Sequence, residues 1–368
     1  MISRTVLLMI TPYSQPRLEG ISRFARAHGW NLMMEDRLLP DENPRQYDGV
    51  LMTLRDTPEA VAAARRLLRA KVPTVDLTIE RPDVRLPRVV SDHAAIGRAA
   101  AAHFRERGFS SLAWFSAGWT NVHRLRYEGF CSECDTPPVR WTRDGLIAAI
   151  QAAPKPVGVL AYNDVDAARL VAVCRNEGIG VPEDVAVLGI GNDTFLCENQ
   201  AVPLSSVEQD LQRNAYEGAA LLDALMSTTP SARAAACRRA PRFTPPGGVV
   251  ARASSDTLTH PHPLIRAALA LIRQNLARSF GAPEIAASLG ISRSHLDHLF
   301  VHETGHSVGK EILAQRLREA KRLLAGTDLP IAAIAAQTGF CNAGYLSNTF
   351  RRAMSISPKA WRRRSAQL

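Results

Sequence analysis

No apolar run in the 368-residue chain reaches the roughly 18–20 residues that a helical membrane span requires. The opening stretch MISRTVLLMITPYSQPR has too short an apolar core for a secretory leader, so a cytoplasmic protein is expected. Cysteine is sparse: of the residues at 131, 134, 174, 197, 237 and 341, only Cys131 and Cys134 share C-x2-C spacing, with no second Cys/His pair nearby. A zinc site takes four ligands, so no metal is expected and the thiols read as reduced residues on a helix. A phosphate-binding glycine pattern is missing too. In VLGIGND (187–193), G-x-G-x-x-G would need glycine at 194, where Thr194 stands, and it would open the first βαβ unit rather than follow a late strand. No cofactor and no catalytic residue is expected.

What is present is an ordinary globular composition, 46% hydrophobic and 22% charged, at a length that points to two domains. The net charge of +10 is unevenly spread. Residues 256–368 hold 15 Lys/Arg against 7 Asp/Glu, while the first 255 hold 30 against 28. A basic C-terminal domain behind a nearly neutral one fits a polyanion partner, although a solvated basic face has the same composition.

Up to about residue 226, apolar runs alternate with Ala-rich amphipathic stretches. Strands are predicted at 5–10, 49–54, 73–77, 111–116, 157–162 and 185–190, and helices at 58–70, 93–108 and 164–178. Strands apolar throughout, each followed by a helix, predict a parallel sheet covered on both faces, with ligands at the carboxyl ends of its strands. A last strand is predicted near 248–253, then a linker over 256–263 in which Pro261 and Pro263 exclude helix. The domains are therefore read as 1–255 and 264–368. From Leu264 the pattern is helical: Ile265, Leu269, Ile272 and Leu276 fall on one face, as do Leu313, Leu317, Ala320 and Leu324 of a helix predicted over 307–325.

The basic domain contains a repeat. EIAASLGISRSHLDHLF (284–300) and AIAAQTGFCNAGYLSNTF (333–350) align at an offset of 50 residues, pairing Ala286 with Ala335, Gly290 with Gly339, Ser292 with Asn342, Leu296 with Leu346 and Phe300 with Phe350. Each half reads as a small residue at a close helix crossing, a glycine in the turn, a capping Ser or Asn, and Leu and Phe on the buried face of the second helix. One copy alone also describes a plain helical hairpin; two copies in a basic domain favour helices entering successive major-groove segments.

Residues 264–368 resemble the DNA-binding domain of AraC/XylS-family transcription regulators, through EIAASLGISRSHLDHLFVHETGHSVGKEILAQRLREAKRLL and IAAIAAQTGFCNAGYLSNTFRRAMSISPKAWRR. The resemblance implies double-stranded DNA as partner. It implies a first recognition helix from Ser292 facing the groove with Arg293, Ser294, His295, Asp297 and His298, and a second from Asn342 with Ala343, Gly344, Ser347 and Asn348. Asn348 suits adenine and His298 a base edge, whereas Arg293, Arg351, Arg352 and Lys359 suit phosphates. A solvated charged face remains the alternative for Arg351 and for Arg362–Arg364.

Residues 1–255 resemble the LacI-type, periplasmic-binding-protein-like ligand domain: two Rossmann-like lobes around a cleft. The carrying stretches are SDHAAIGRAAAAHFRERGFSSLAWF (91–115), HRLRYEGF (123–130), AYNDVDAARLVAVCRNEGIGVPEDVAVLGIGND (161–193) and PLSSVEQDLQRNAYEGAALLDALM (203–226). A LacI-type domain ahead of an AraC-type domain is similar to the xylose-responsive XylR subgroup, as is PPGGVVARASSD (245–256). The resemblance implies a small effector, a sugar such as xylose, held by Arg126 and Asn163, together with a homodimer and RNA polymerase as a further partner. Read from the residues alone, Arg126 equally pairs with Glu128 and Asn163 equally caps the helix from Asp164. The third sugar contact of such domains, an Asp, is here Gly191, with Asn192 or Asp193 as substitutes. Tyr13, Arg17 and Asp76 lie near strand ends, and Trp119 is placed to stack on a sugar face, a rim or core role being the alternative.

Two function classes follow: a ligand-responsive DNA-binding regulator, and a nucleotide- or dinucleotide-dependent enzyme on the α/β half, disfavoured by Thr194. A secreted sugar-binding transport protein fits neither the opening stretch nor the basic tail.

Overall fold

The computed structural model describes residues 4–35, 43–256, 262–278, 280–354 and 356–365. The chain divides into two compact units, Met1–Thr257 and Leu258–Leu368.

Through the first unit run β1 (Arg4–Met9), α1 (Gln15–His28), β2 (Trp30–Met34), β3 (Gly49–Met52), α2 (Pro58–Ala70), β4 (Thr74–Asp76), β5 (Val89–Ser91), α3 (His93–Glu106), β6 (Ser111–Phe115), α4 (Asn121–Cys131), β7 (Val139–Trp141), α5 (Leu146–Ala152), β8 (Val157–Ala161), α6 (Asp164–Asn176), β9 (Val185–Gly191), α7 (Thr194–Glu198), β10 (Ser205–Glu208), α8 (Leu211–Met226), α9 (Pro230–Ala236), β11 (Arg242–Thr244) and β12 (Gly248–Val250). The strands form two main sheets, one per lobe, ordered β2-β1-β3-β4 and β12-β10-β9-β8-β6-β7. All pairs in them are parallel except β10 with β12. A third, two-stranded sheet pairs β5 with β11.

Local signals set the helix bounds. Thr57 accepts from Ala60 N and Pro58 opens α2 at a position needing no N–H, so this helix has its predicted span. The helices predicted to 108 and 178 end two residues early, because Gly108 and Gly178 turn the chain at φ +78° and +67°. Strands β2, β5, β7, β10 and β11 were not legible from pattern. They are three to five residues long and several, such as SSVE in β10, are polar, so their neighbours in the sheet rather than their own hydrophobicity hold them.

The lobes are not consecutive in sequence. Helix α8 follows the last parallel strand of the second lobe, yet Ala215, Ala219, Leu222 and Leu225 pack with Val6, Ile21, Phe24 and Leu51 in the first-lobe core. Asn214 on α8, fully buried, donates to Val89 O of β5 and so ties the returning chain to an outgoing crossover. In the second lobe α3 and α4 cross at two glycines. A Cβ on Gly97 would strike Arg126 O, and one on Gly129 would strike Ala94 O and Cα, so only these two glycines let the helices approach so closely.

The second unit holds α10 (Pro263–Gln274), α11 (Ala282–Ser288), α12 (Arg293–Thr304), α13 (Val308–Gly326), α14 (Ile331–Gln337), α15 (Ala343–Met354) and α16 (Pro358–Ser365). One core gathers Ile265, Leu269, Ile272, Ile285, Leu296 and Phe300; another gathers Leu317, Leu324, Ile334, Leu346 and Phe350. The paired alanines, Ala286 and Ala335, are buried, and the paired glycines, Gly290 and Gly339, sit at φ +67° and +74° in the turns.

The linker expected over 256–263 needs correction at both ends. Asp256 belongs to the first unit, its Oδ1 3.4 Å from Arg107 Nη2. Pro263 begins α10 instead of excluding helix, since a first helical residue needs no N–H. Residues 257–261, with Pro261, lie outside the described residues.

Candidate functional site

The carboxyl ends of the two sheets supply the cleft side chains. Arg126 lies on α4, which is held against α3 by the glycine crossing and capped by Thr120 with His123. The side chain is buried and reaches across its lobe: Nη1 donates to Tyr162 O at 2.6 Å, Nη2 to Gln209 Oε1 at 2.8 Å and Nε to His93 Nδ1 at 3.4 Å. Its Cζ stands 4.8 Å from the centre of the Tyr162 ring, on which the His123 ring stacks at 3.5 Å and Trp114 packs edge-on. Arg126 does not pair with Glu128, which takes Arg124 instead. Burial lowers the Arg126 pKa, and burial together with Arg126 and Arg17 holds His93 well below the usual histidine value. A neutral His93 is the form that accepts from Arg126 Nε.

Arg17, in the first turn of α1, shares this space: Asp76, Arg126 and Tyr162 all act on its charge. Burial lowers its pKa to about 10. It makes no hydrogen bond or ion pair with any described residue, and its Nε is enclosed without a partner.

Asp76, read from the sequence as a cleft contact, is corrected by its surroundings. It has no exposed surface; Oδ1 accepts from Leu54 N, Thr78 N and Thr78 Oγ1, and Oδ2 holds Arg88 Nε at 2.9 Å. With its lone pairs so occupied, it braces the β4 end and the crossover beneath the site.

Asn163 caps α6, its Oδ1 accepting from Asp166 N at 2.8 Å, and its amide nitrogen has no hydrogen bond among the described residues. Gly191 ends β9 at φ +136°, where a Cβ would lie 2.9 Å from Asp164 Oδ2. The positive φ disfavours any side chain at 191, and the neighbouring Asp164 is committed to Ser206 Oγ and Asp193 N. Asn192, left-handed at φ 55°, donates its N–H to Ser206 Oγ, and its buried Oδ1 has no partner. Asp193 is exposed and caps α7.

Trp119 is half-exposed, with Arg140 4.4 Å above its ring and Tyr127 edge-on, a rim position. Tyr13 is 70% exposed and lines a separate groove with Gln15, Glu19, Arg23 and Gln212. Pattern reading missed Tyr162, His93, His123 and Gln209. Tyr162 directly precedes Asn163 and was within reach; Gln209 lies 83 residues from Arg126 and carried no local signal.

In the second unit Ser292 caps α12 by accepting from His295 N, and Asn342 accepts from Tyr345 N at the start of α15. With Leu296, Phe300, Leu346 and Phe350 buried, Arg293, Ser294, His295 and His298 are exposed on α12, and Gly344, Asn348, Arg351 and Arg352 on α15. Asp297, Ala343 and Ser347 are half-buried, and Asp297 is 3.5 Å from Arg293 Nε, which partly neutralises that cation. Lys359 is exposed on α16.

Among the described residues no group of His, Cys, Asp and Glu is placed to hold a metal, and no helix is long and apolar enough to cross a membrane. The six cysteines are free; Cys131 closes α4 and Cys134 lies in the turn beyond, not on a helix.

Residues 101–255 match the periplasmic binding protein-like domain family and residues 285–364 the helix-turn-helix domain family. The chain is 25% identical to the xylose operon regulatory protein of Haemophilus influenzae over 378 residues, covering 95% of each. With that of Escherichia coli K12 it shares 27% over 294 residues, 74% of this chain and 73% of the relative. Among solved structures, a xylose-binding transcription activator, XylR, has the same fold at a TM-score of 0.69, with 23% identity over 98% of both chains.

Proposed function

We propose that this chain is a XylR-type transcription regulator, a periplasmic-binding-protein-like domain followed by an AraC-type helix-turn-helix domain, in which a sugar-type effector binds between the lobes and controls how α12 and α15 meet DNA. The carrying observation is Arg126: a buried guanidinium with no carboxylate partner, aimed among Tyr162, Gln209 and His93 where the strands of the second lobe end. Guanidinium and amide groups give directed hydrogen bonds to adjacent hydroxyls, so Arg126, Asn163 and Asn192 are assigned to the effector. Xylose, named for the structural neighbour, is the first ligand to test. Sensing is assigned to 1–255 and DNA binding to 264–368; a cytoplasmic homodimer that contacts RNA polymerase completes the reading, the effector biasing its DNA-binding geometry.

Titration of the chain's own upstream DNA in a gel-shift assay tests this directly. Asn348→Ala is expected to lose about 1–3 kcal/mol on the specific site alone. Arg351→Ala is expected to weaken every sequence similarly and lower the log–log salt slope by about 1. Absence of specific retardation, with or without sugar, sinks the reading.

A further inference from the structure

We infer that the effector is anionic, a sugar acid rather than a neutral sugar, with its carboxylate on Arg17. The inference rests on the cleft reading above and narrows it. Two guanidiniums, Arg17 and Arg126, lie within each other's field, yet neither is paired with a carboxylate of the described residues. The described acidic groups near them are engaged elsewhere. Asp76 is held by Arg88, Asp164 by Ser206 Oγ and Asp193 N, Asp166 by Arg169, and Glu80 by Val122 N at the start of α4. The residue that would offer an acidic contact to a neutral sugar's hydroxyls is here Gly191, at a φ of +136° that disfavours a side chain.

Arg17 is the sharper half of the argument. An arginine whose Nε is enclosed without an acceptor is unfavourable, the more so in the first turn of a helix, where the dipole adds positive potential. Ser14 makes no side-chain cap there and the first turn has no acidic residue, so nothing in that turn offsets the charge. A planar carboxylate accepts from a guanidinium fork in two parallel bonds, and its polyhydroxyl remainder fits the amides of Asn163 and Asn192.

The test is calorimetric titration of the full chain with D-xylose against D-xylonate and D-galactose against D-galacturonate, repeated on Arg17→Gln and Arg17→Lys. At least one acid is expected to bind tenfold or more tightly than its neutral parent, with the preference lost in R17Q and reduced but still present in R17K, which keeps the charge without the fork. A neutral sugar that binds as tightly as its acid, or a preference unchanged in R17Q, overturns the inference while leaving a sugar-responsive regulator intact. If none of the four binds or alters the gel shift, the sugar-sensor reading falls with it.

Discussion

Gly129→Ala is expected to destabilise the first unit by about 3 kcal/mol and to weaken effector binding at least tenfold. The sign is diagnostic. In an exposed helix interior, replacing glycine by alanine stabilises by about 1 kcal/mol, because alanine loses less backbone freedom. Here the new methyl would overlap Ala94 Cα, 2.6 Å away, and the Ala94 carbonyl, which are backbone atoms that no rotamer change relieves. Helix α4 must then shift off α3, carrying Arg126 with it. That side chain's contacts with Tyr162 O, Gln209 and His93 are made at 2.6–3.4 Å and do not survive a shift of an ångström. Gly97→Ala, whose methyl would overlap the Arg126 carbonyl from the other helix, is expected to behave alike. Denaturant unfolding and ligand titration check both; a variant as stable and responsive as wild type would show that the crossing tolerates the methyl.

Acid is expected to destabilise the first unit through its buried histidines. His93, His103 and His123 are buried, and burial holds all three below the usual value of 6.5, His103 to about 3 and His123 to about 4. Arg126 and Arg17 add to the effect at His93, Arg107 at His103 and Arg126 at His123. Since the folded-state values are depressed, the unfolded chain takes up protons that the fold refuses. Stability is therefore fully present above about pH 7 and is lost as pH falls through 6.5 towards the folded values of His103 and His123. At pH 5 these two contribute a loss of at most about 2 kcal/mol each, and His93 adds in the same direction. Asp83, held to about 2 by Arg81, titrates far below this window. Unfolding free energies at pH 8, 6 and 5 measure the effect, and a change under 1 kcal/mol over that range would refute it.

Several features were legible from local pattern. The helix α2, the repeated turn glycines Gly290 and Gly339, and the buried Leu and Phe of α12 and α15 follow from period, caps and turn residues that act within one or two turns of chain. Where pattern reading left two options open, the outcomes divided. Asn163 does cap its helix, but Arg126 does not take Glu128, because at the crossing with α3 it points inward while Arg124 faces Glu128 on the open side of α4.

By itself, then, the sequence determined helices α2, α3 and α6 and the principal strands, the doubling of the helix-turn-helix, and the basic character of the second unit, since each depends on neighbours a few residues apart. Only the tertiary structure decided which buried charges are satisfied. Asp76 and Arg17 both looked available near strand ends; Asp76 is consumed by Arg88, while Arg17 is left without a partner among the described residues. The physical reason is that those pairings form where crossover segments and strand ends of both lobes converge, between residues brought together by topology rather than spacing, and in such a place the position of one Cβ or one carboxylate decides what charge the site has left to offer.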